Sequence, residues 1–247
     1  KNKILILGLF VSTSFSQEVK WMSIGDLHNW YSAAGCEVET GRTGQVSDQQ
    51  DGLRYPAFYR VQDNQAAKGL WLGATNFYDP VVNKDYEYKV IHAGPRHLDI
   101  ENETMPINMT MDGKYDHPNV FVDGDPATNL QYLDYVDNVD PNLESDRKIN
   151  NIVQTSLGVQ MKRTIYAFAH PDHQNYHIQE YVFINNGCFD KDCNTSYEQT
   201  LDGFQVYLQY RYAISREGMV YDGNWLPQSA AWGHNTMNDV IGENPDS

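Results

Sequence analysis

The chain has 247 residues, 40% of them hydrophobic and 13% aromatic, with a formal net charge of −15. That is enough apolar material for one large or two medium domains, and it excludes a disordered chain. The negative charge argues against nucleic acid or an anionic membrane surface as the main partner, since both are polyanions, and no apolar run after the N-terminus reaches the ~20 residues that span a bilayer.

The opening KNKILILGLFVSTSFSQ has the order of a secretory signal peptide. Lys1 and Lys3 supply the positive region, residues 4–11 the apolar run, and Ser14 and Ser16 the small residues before Gln17. Residues 1–16 are therefore expected to direct export, leaving a secreted or cell-surface protein. GDLHNWYSAAG, residues 25–35, reads as a short helix with Asp26 near its start and Gly35 at its end. LRYPAFYRV, GLWLGATNF and DYEYKVIHAG follow as strands punctuated by Pro, Gly and Asp, with Trp71 assigned to the core.

A second helix is predicted from Asp125 at the N-cap and Pro126 at the first helical position, with Leu130, Leu133 and Val136 on one face. The acidic string over 134–146 then reads as a linker. This places an N-terminal β-rich domain over 17–147 and a second over 148–247, the latter expected to be truncated at its C-terminal end.

The second half has a dominant period of two. In FQVYLQYRYAIS, residues 204–215, Phe204, Val206, Leu208, Tyr210, Tyr212 and Ile214 share one face, while Gln205, Tyr207, Gln209 and Arg211 share the other. GVQMKRTIYAFAH (158–170) and YHIQEYVFINNG (176–187) are two more β-branched and aromatic runs, joined by the turn-forming PDHQN. Three such runs predict an antiparallel meander. The expected fold is all-β: antiparallel β-sandwich modules, immunoglobulin-like or related, with few short helices.

Catalytic signatures such as G-x-S-x-G, H-E-x-x-H, the P-loop and G-x-G-x-x-G are absent from the sequence. His170, His173 and His177, with Asp172, sit around Pro171 in a turn, which breaks the helical spacing a metal site would use. Asp123, Asp125, Asp137 and Asp140 crowd into one acidic stretch and are the candidate calcium ligands, since calcium takes six to eight oxygens; the spacing is not that of an EF-hand. Trp225, Trp232 and Tyr207 are the candidate aromatics for stacking on sugar rings. Cys188 and Cys193 bracket FDKD and are the candidate disulfide, a staple on a short loop, with Cys36 left over.

The series GDLHNWYSAAGCE, GLRYPAFYR and KGLWLGATNF resembles the N-terminal region of very large secreted proteins that use the type IX secretion system in Bacteroidota-like marine bacteria. The matching residues are Trp30, Gly35, Tyr55, Pro56, Gly69, Leu70, Trp71, Gly73 and Ala74. GVQMKRTIYAFAH, IQEYVFINNG and FQVYLQYRYAIS match the later strands in the same order, so the resemblance spans roughly residues 20–230. It implies a multidomain surface or secreted polypeptide ending in a C-terminal sorting domain, of which this chain is an N-terminal piece; it assigns the region no biochemical role. The function expected from the sequence is a structural or adhesive region of that larger protein, partnered by its downstream domains and by surface components, with no catalysis of its own. The alternative is a carbohydrate-binding accessory module of a polysaccharide-degrading or peptidase enzyme, with extracellular polysaccharide as the partner.

Overall fold

The structure, a computed structural model, describes residues 18–37, 53–57, 65–93, 103–117, 121–126, 134–213, 220–221, 224–225 and 236–237. Among these every regular element is a strand, so the protein is all-β. A three-stranded sheet has the order β1 (Val19–Met22), β2 (His28–Ser32), β3 (Leu53–Arg54). A five-stranded sheet runs β12 (Ile178–Asn185), β11 (Val159–Ala167), β10 (Arg147–Thr155), β6 (Thr104–Gly113), β9 (Asn138–Val139). A four-stranded sheet runs β16 (Thr236–Met237), β13 (Asp202–Ala213), β4 (Gln65–Asp79), β5 (Lys84–Ala93). Two minimal hairpins pair β7 (Phe121–Val122) with β8 (Asp125–Pro126), and β14 (Val220–Tyr221) with β15 (Asn224–Trp225). Neighbours are antiparallel except β6 and β9, which are parallel.

Strict alternation on β10 and β11 builds the centre. Ile149, Asn151 and Val153 on β10, with Val159, Met161, Arg163, Ile165 and Ala167 on β11, are all buried, while the residues between them are more exposed. The two ends of this face are covered differently. Val153, Val159, Met161, Leu157 and Phe189 pack against Leu70, Leu72, Ala74, Phe77 and Ile91 of β4 and β5. Ile149, Ile165, Ala167, Met109 and Met111 pack against Met22, Tyr31 and Ala33 around β1 and β2. One sheet face thus carries two smaller sheets side by side.

The seam between them is polar. Arg163 and Asn151 are cross-strand partners, both 1% exposed. The Arg163 guanidinium donates to the carbonyl of Ser32 at 2.7 Å and to Asn151 Oδ1 at 3.1 Å. Asn151 Nδ2 in turn donates to the carbonyls of Ala33 and Asn108. These acceptors, with the Tyr31 ring 5.6 Å from the guanidinium, hold the buried cation and tie the end of β2 to the large sheet.

Four expectations are corrected by this architecture. Residues 28–32 form β2 rather than the middle of a helix, because Trp30 and Tyr31 pair with Trp21 and Lys20 of β1; Asp125 and Pro126 form β8 rather than a helix start, and 127–133 lie outside the described residues. The meander stops after two strands: β11 and β12 form a hairpin, but β13 crosses to the other sheet and pairs with β4. The division at 147/148 does not coincide with a division of the fold. It falls at the first residues of β10, and both large sheets combine strands from either side of it.

Candidate functional site: an aromatic face on the four-stranded sheet

With Leu70, Leu72 and Ala74 turned to the core, the period of two turns Gly69, Trp71 and Gly73 outward on β4. Trp71 is consequently 43% exposed instead of a core residue. Its cross-strand neighbours are Tyr207 on β13, 56% exposed, and His92 on β5. The Tyr207 ring stands at 85° to the indole with centroids 6.4 Å apart, and the His92 ring is tilted by 49° at 5.8 Å. Gly69 explains how the indole lies: a Cβ there would sit 3.2 Å from Trp71 Nε1 and 3.5 Å from Cδ1, so the ring reclines along the strand over the missing side chain. The result is an indole floor with Tyr207 as a wall on one side and His92 on the other. Val90 and Tyr88 extend the apolar surface along β5, and Gln205 and Gln209 lie on the Tyr207 side of β13.

His92 is held from behind. Glu103 Oε2 accepts the His92 backbone N–H at 2.9 Å and lies 3.0 Å from His92 Nδ1. In the neutral imidazole a carboxylate oxygen this close favours the proton on Nδ1, which leaves Nε2 a hydrogen-bond acceptor. Among the described residues, no hydrogen bond engages Trp71 Nε1, Tyr207 Oη, His92 Nε2 or the amides of Gln205 and Gln209. A flat aromatic surface ringed by available donors and acceptors suits a ligand with one apolar face and many hydroxyls.

Of the aromatics singled out in the sequence, Tyr207 lies in this face, Trp225 falls in β15, and Trp232 lies outside the described residues. Trp71, His92 and Glu103 were missed, although alternation about Leu70 and Leu72 carried the signal for the first. The four aspartates are not gathered: among the described residues, no three His, Cys, Asp or Glu side chains converge as a metal site would require. Asp123 and Asp125 are exposed on the β7–β8 hairpin, whose turn residues Asp123 and Gly124 have φ of 54° and 91°. The Asp137 carboxylate accepts the Met111 N–H at 2.6 Å and pairs with Lys20 at 2.9 Å. Burial opposes the charge on Lys20, but its hydrogen bonds to Asp137 and Glu18 prevail and raise its pKa above the ordinary value. Asp140 caps the N–H of Asn142.

Cys188 and Cys193 are joined in a disulfide. Inside that loop the Asp190 carboxylate accepts the N–H groups of Asn194, Thr195 and Asp192, which holds its pKa down. His173 bonds Tyr176 within the turn, whereas His177 Nδ1 lies 2.7 Å from Tyr31 Oη and so ties the turn to β2. A separate cavity of about 270 Å³ lies between β2 and the start of β12. Its carboxylate, Glu37, is 1% exposed and accepts from Asn29 Nδ2 and Gln179 Nε2, both at 2.6 Å, an arrangement that ties β2 to β12.

Set against known protein families, curated proteins and solved structures, the chain matches none.

Proposed function

We propose that this is an adhesive region of an exported surface protein and that it adheres by binding carbohydrate through the Trp71–Tyr207–His92 face. The observation that carries the reading is the indole reclining over Gly69, 43% exposed, between a perpendicular tyrosine and a histidine. An exposed tryptophan on a central strand forfeits burial, and a flat face that stacks on pyranose rings gives it a use. The signal-like N-terminus and the resemblance to type IX-exported proteins support the location, and the Cys188–Cys193 disulfide is compatible with it.

The test is retention of the purified protein on a panel of insoluble polysaccharides, compared with Trp71→Ala. Wild type should be depleted from solution by at least one of them, and the variant should bind about tenfold more weakly or less. Passage of the wild type through every matrix would leave the face without a sugar ligand and return the region to a purely structural role.

A further inference from the structure

Resting on the carbohydrate reading above, we infer that the ligand is an uncharged glycan and that the site reads one of its hydroxyls through His92 Nε2, with Glu103 as the residue that sets the imidazole. Charge supplies the first part. The chain carries −15, and among the described residues the one charged group touching Trp71, Tyr207 or His92 is a carboxylate, that of Glu103. A uronic acid or sulfate ester brought to this face meets like charge and, among the described side chains, finds no cation.

Hydrogen-bond polarity supplies the second part. With Nδ1 3.0 Å from a Glu103 carboxylate oxygen, the Nδ1–H tautomer of the neutral ring is favoured and Nε2 is its acceptor, so its complement must donate. Carboxylate and sulfate oxygens cannot donate, whereas a sugar hydroxyl can, and a hydroxyl at the rim of a ring stacked on Trp71 is adjacent to the imidazole, whose centroid is 5.8 Å from the indole. Glu103 acts as a positioning residue: a single oxygen, Oε2, accepts the backbone N–H and lies 3.0 Å from the ring nitrogen Nδ1 of His92, which favours the Nδ1–H tautomer.

The experiment is affinity electrophoresis and titration of the full chain with a neutral β-glucan and a galactomannan, against alginate, a sulfated galactan and chitosan. Neutral polymers should retard the protein, by an amount insensitive to salt up to about 0.5 M. His92→Phe keeps an aromatic ring beside Trp71 but has no acceptor, and should lose about tenfold in affinity. Glu103→Ala should weaken binding in the same direction, and Glu103→Gln, which keeps an acceptor oxygen, should restore it; a merely structural Glu103 would instead change the melting temperature and leave affinity alone. Salt-sensitive binding to alginate or the sulfated galactan, or preference for chitosan, would overturn the uncharged-ligand inference while the carbohydrate reading stood. Undiminished binding by folded His92→Phe would overturn the hydroxyl contact. Binding to no polysaccharide, or only to a proline-rich peptide, would overturn both the inference and the reading it rests on.

Discussion

Gly69 and Trp71 show how one absent side chain can determine the presentation of another. An alanine at 69 would bring its methyl to 3.2 Å from the indole nitrogen, a contact that pushes the ring a few tenths of an ångström from its place over the strand. Glycine in a strand interior otherwise costs stability. Gly69→Ala is therefore expected to leave the unfolding free energy unchanged to within about 1 kcal/mol while weakening glycan binding about threefold or more, a separation that paired denaturation and binding curves would reveal. Loss of both in parallel would argue against the reclining indole. At the same scale, His28 is a half-buried imidazole whose pKa is lowered to about 4, by burial first and by the nearby Arg54 charge; its hydrogen bond to the Gly25 carbonyl acts in the opposite sense. Above pH 6.5 the ring is neutral in both states. Below it the unfolded chain takes up a proton that the folded protein refuses until about pH 4, so stability falls with pH across that window, by roughly 3 kcal/mol in all. Urea unfolding at pH 7 and at pH 4.5 should show the loss, and His28→Gln should be less pH-dependent than wild type.

At the level of elements, period-two runs were the most legible feature of the sequence. The runs at 158–170, 176–187 and 204–215 became β11, β12 and β13, and the GLWLGATNF and DYEYKVIHAG segments became β4 and β5. Strand pairing was not legible, because periodicity says which residues share a face and not which strand lies beside it. RKINNIVQT, the central β10, was passed over because Arg147, Asn150 and Asn151 interrupt its hydrophobicity; Arg147 and Asn151 are nonetheless buried. The expected helix at 25–35 failed for a physical reason: Trp30 and Tyr31 in its middle pair with β1, and Gly25 and Gly35 at its two ends occupy turns with φ of 77° and 97°. Space at the two differs in kind. A Cβ on Gly25 would meet the backbone carbonyl oxygens of Gln174 and Phe168 at 2.7 and 2.8 Å, whereas on Gly35 the closest obstacle is the mobile end of Met161 at 2.1 Å. Both alanine variants should destabilise, Gly25→Ala by about 2 kcal/mol or more and by the larger amount, since backbone cannot rotate aside. Chemical denaturation of the two variants would rank them, and equal midpoints would count against this account. As for the site, Tyr207 was legible as a residue on the polar face of its strand. Trp71 was misread because hydrophobic neighbours on both sides suggest burial unless alternation is applied to the tryptophan itself.

For the whole molecule, the decisive feature is that neither half owns either of the two large sheets. β4 and β5 have β13 as their long partner, and β10 is flanked by β6 from one half and β11 from the other. Residues 1–147 and 148–247 produced separately should therefore lack near-ultraviolet circular dichroism, and the intact chain should unfold in a single transition seen alike by tryptophan fluorescence and far-ultraviolet dichroism. Two resolved transitions would instead restore independent domains at residue 148. Pairings this remote raise the entropy that must be lost before any contact is rewarded, and they slow folding relative to a chain of local hairpins.

The β4–β13 seam also sets a schedule for synthesis. Thr75 and Asp202, hydrogen-bonded in the finished protein, are 127 residues apart. A ribosome adding ~5–20 residues per second releases the second strand on the order of ten seconds after the first. Throughout that interval the β4–β5 hairpin has emerged with Leu70, Leu72 and Phe77 uncovered and one edge open to any other strand. A nascent chain in this condition is a natural client for a holding chaperone, and also pliable enough to be threaded through a narrow channel before it sets.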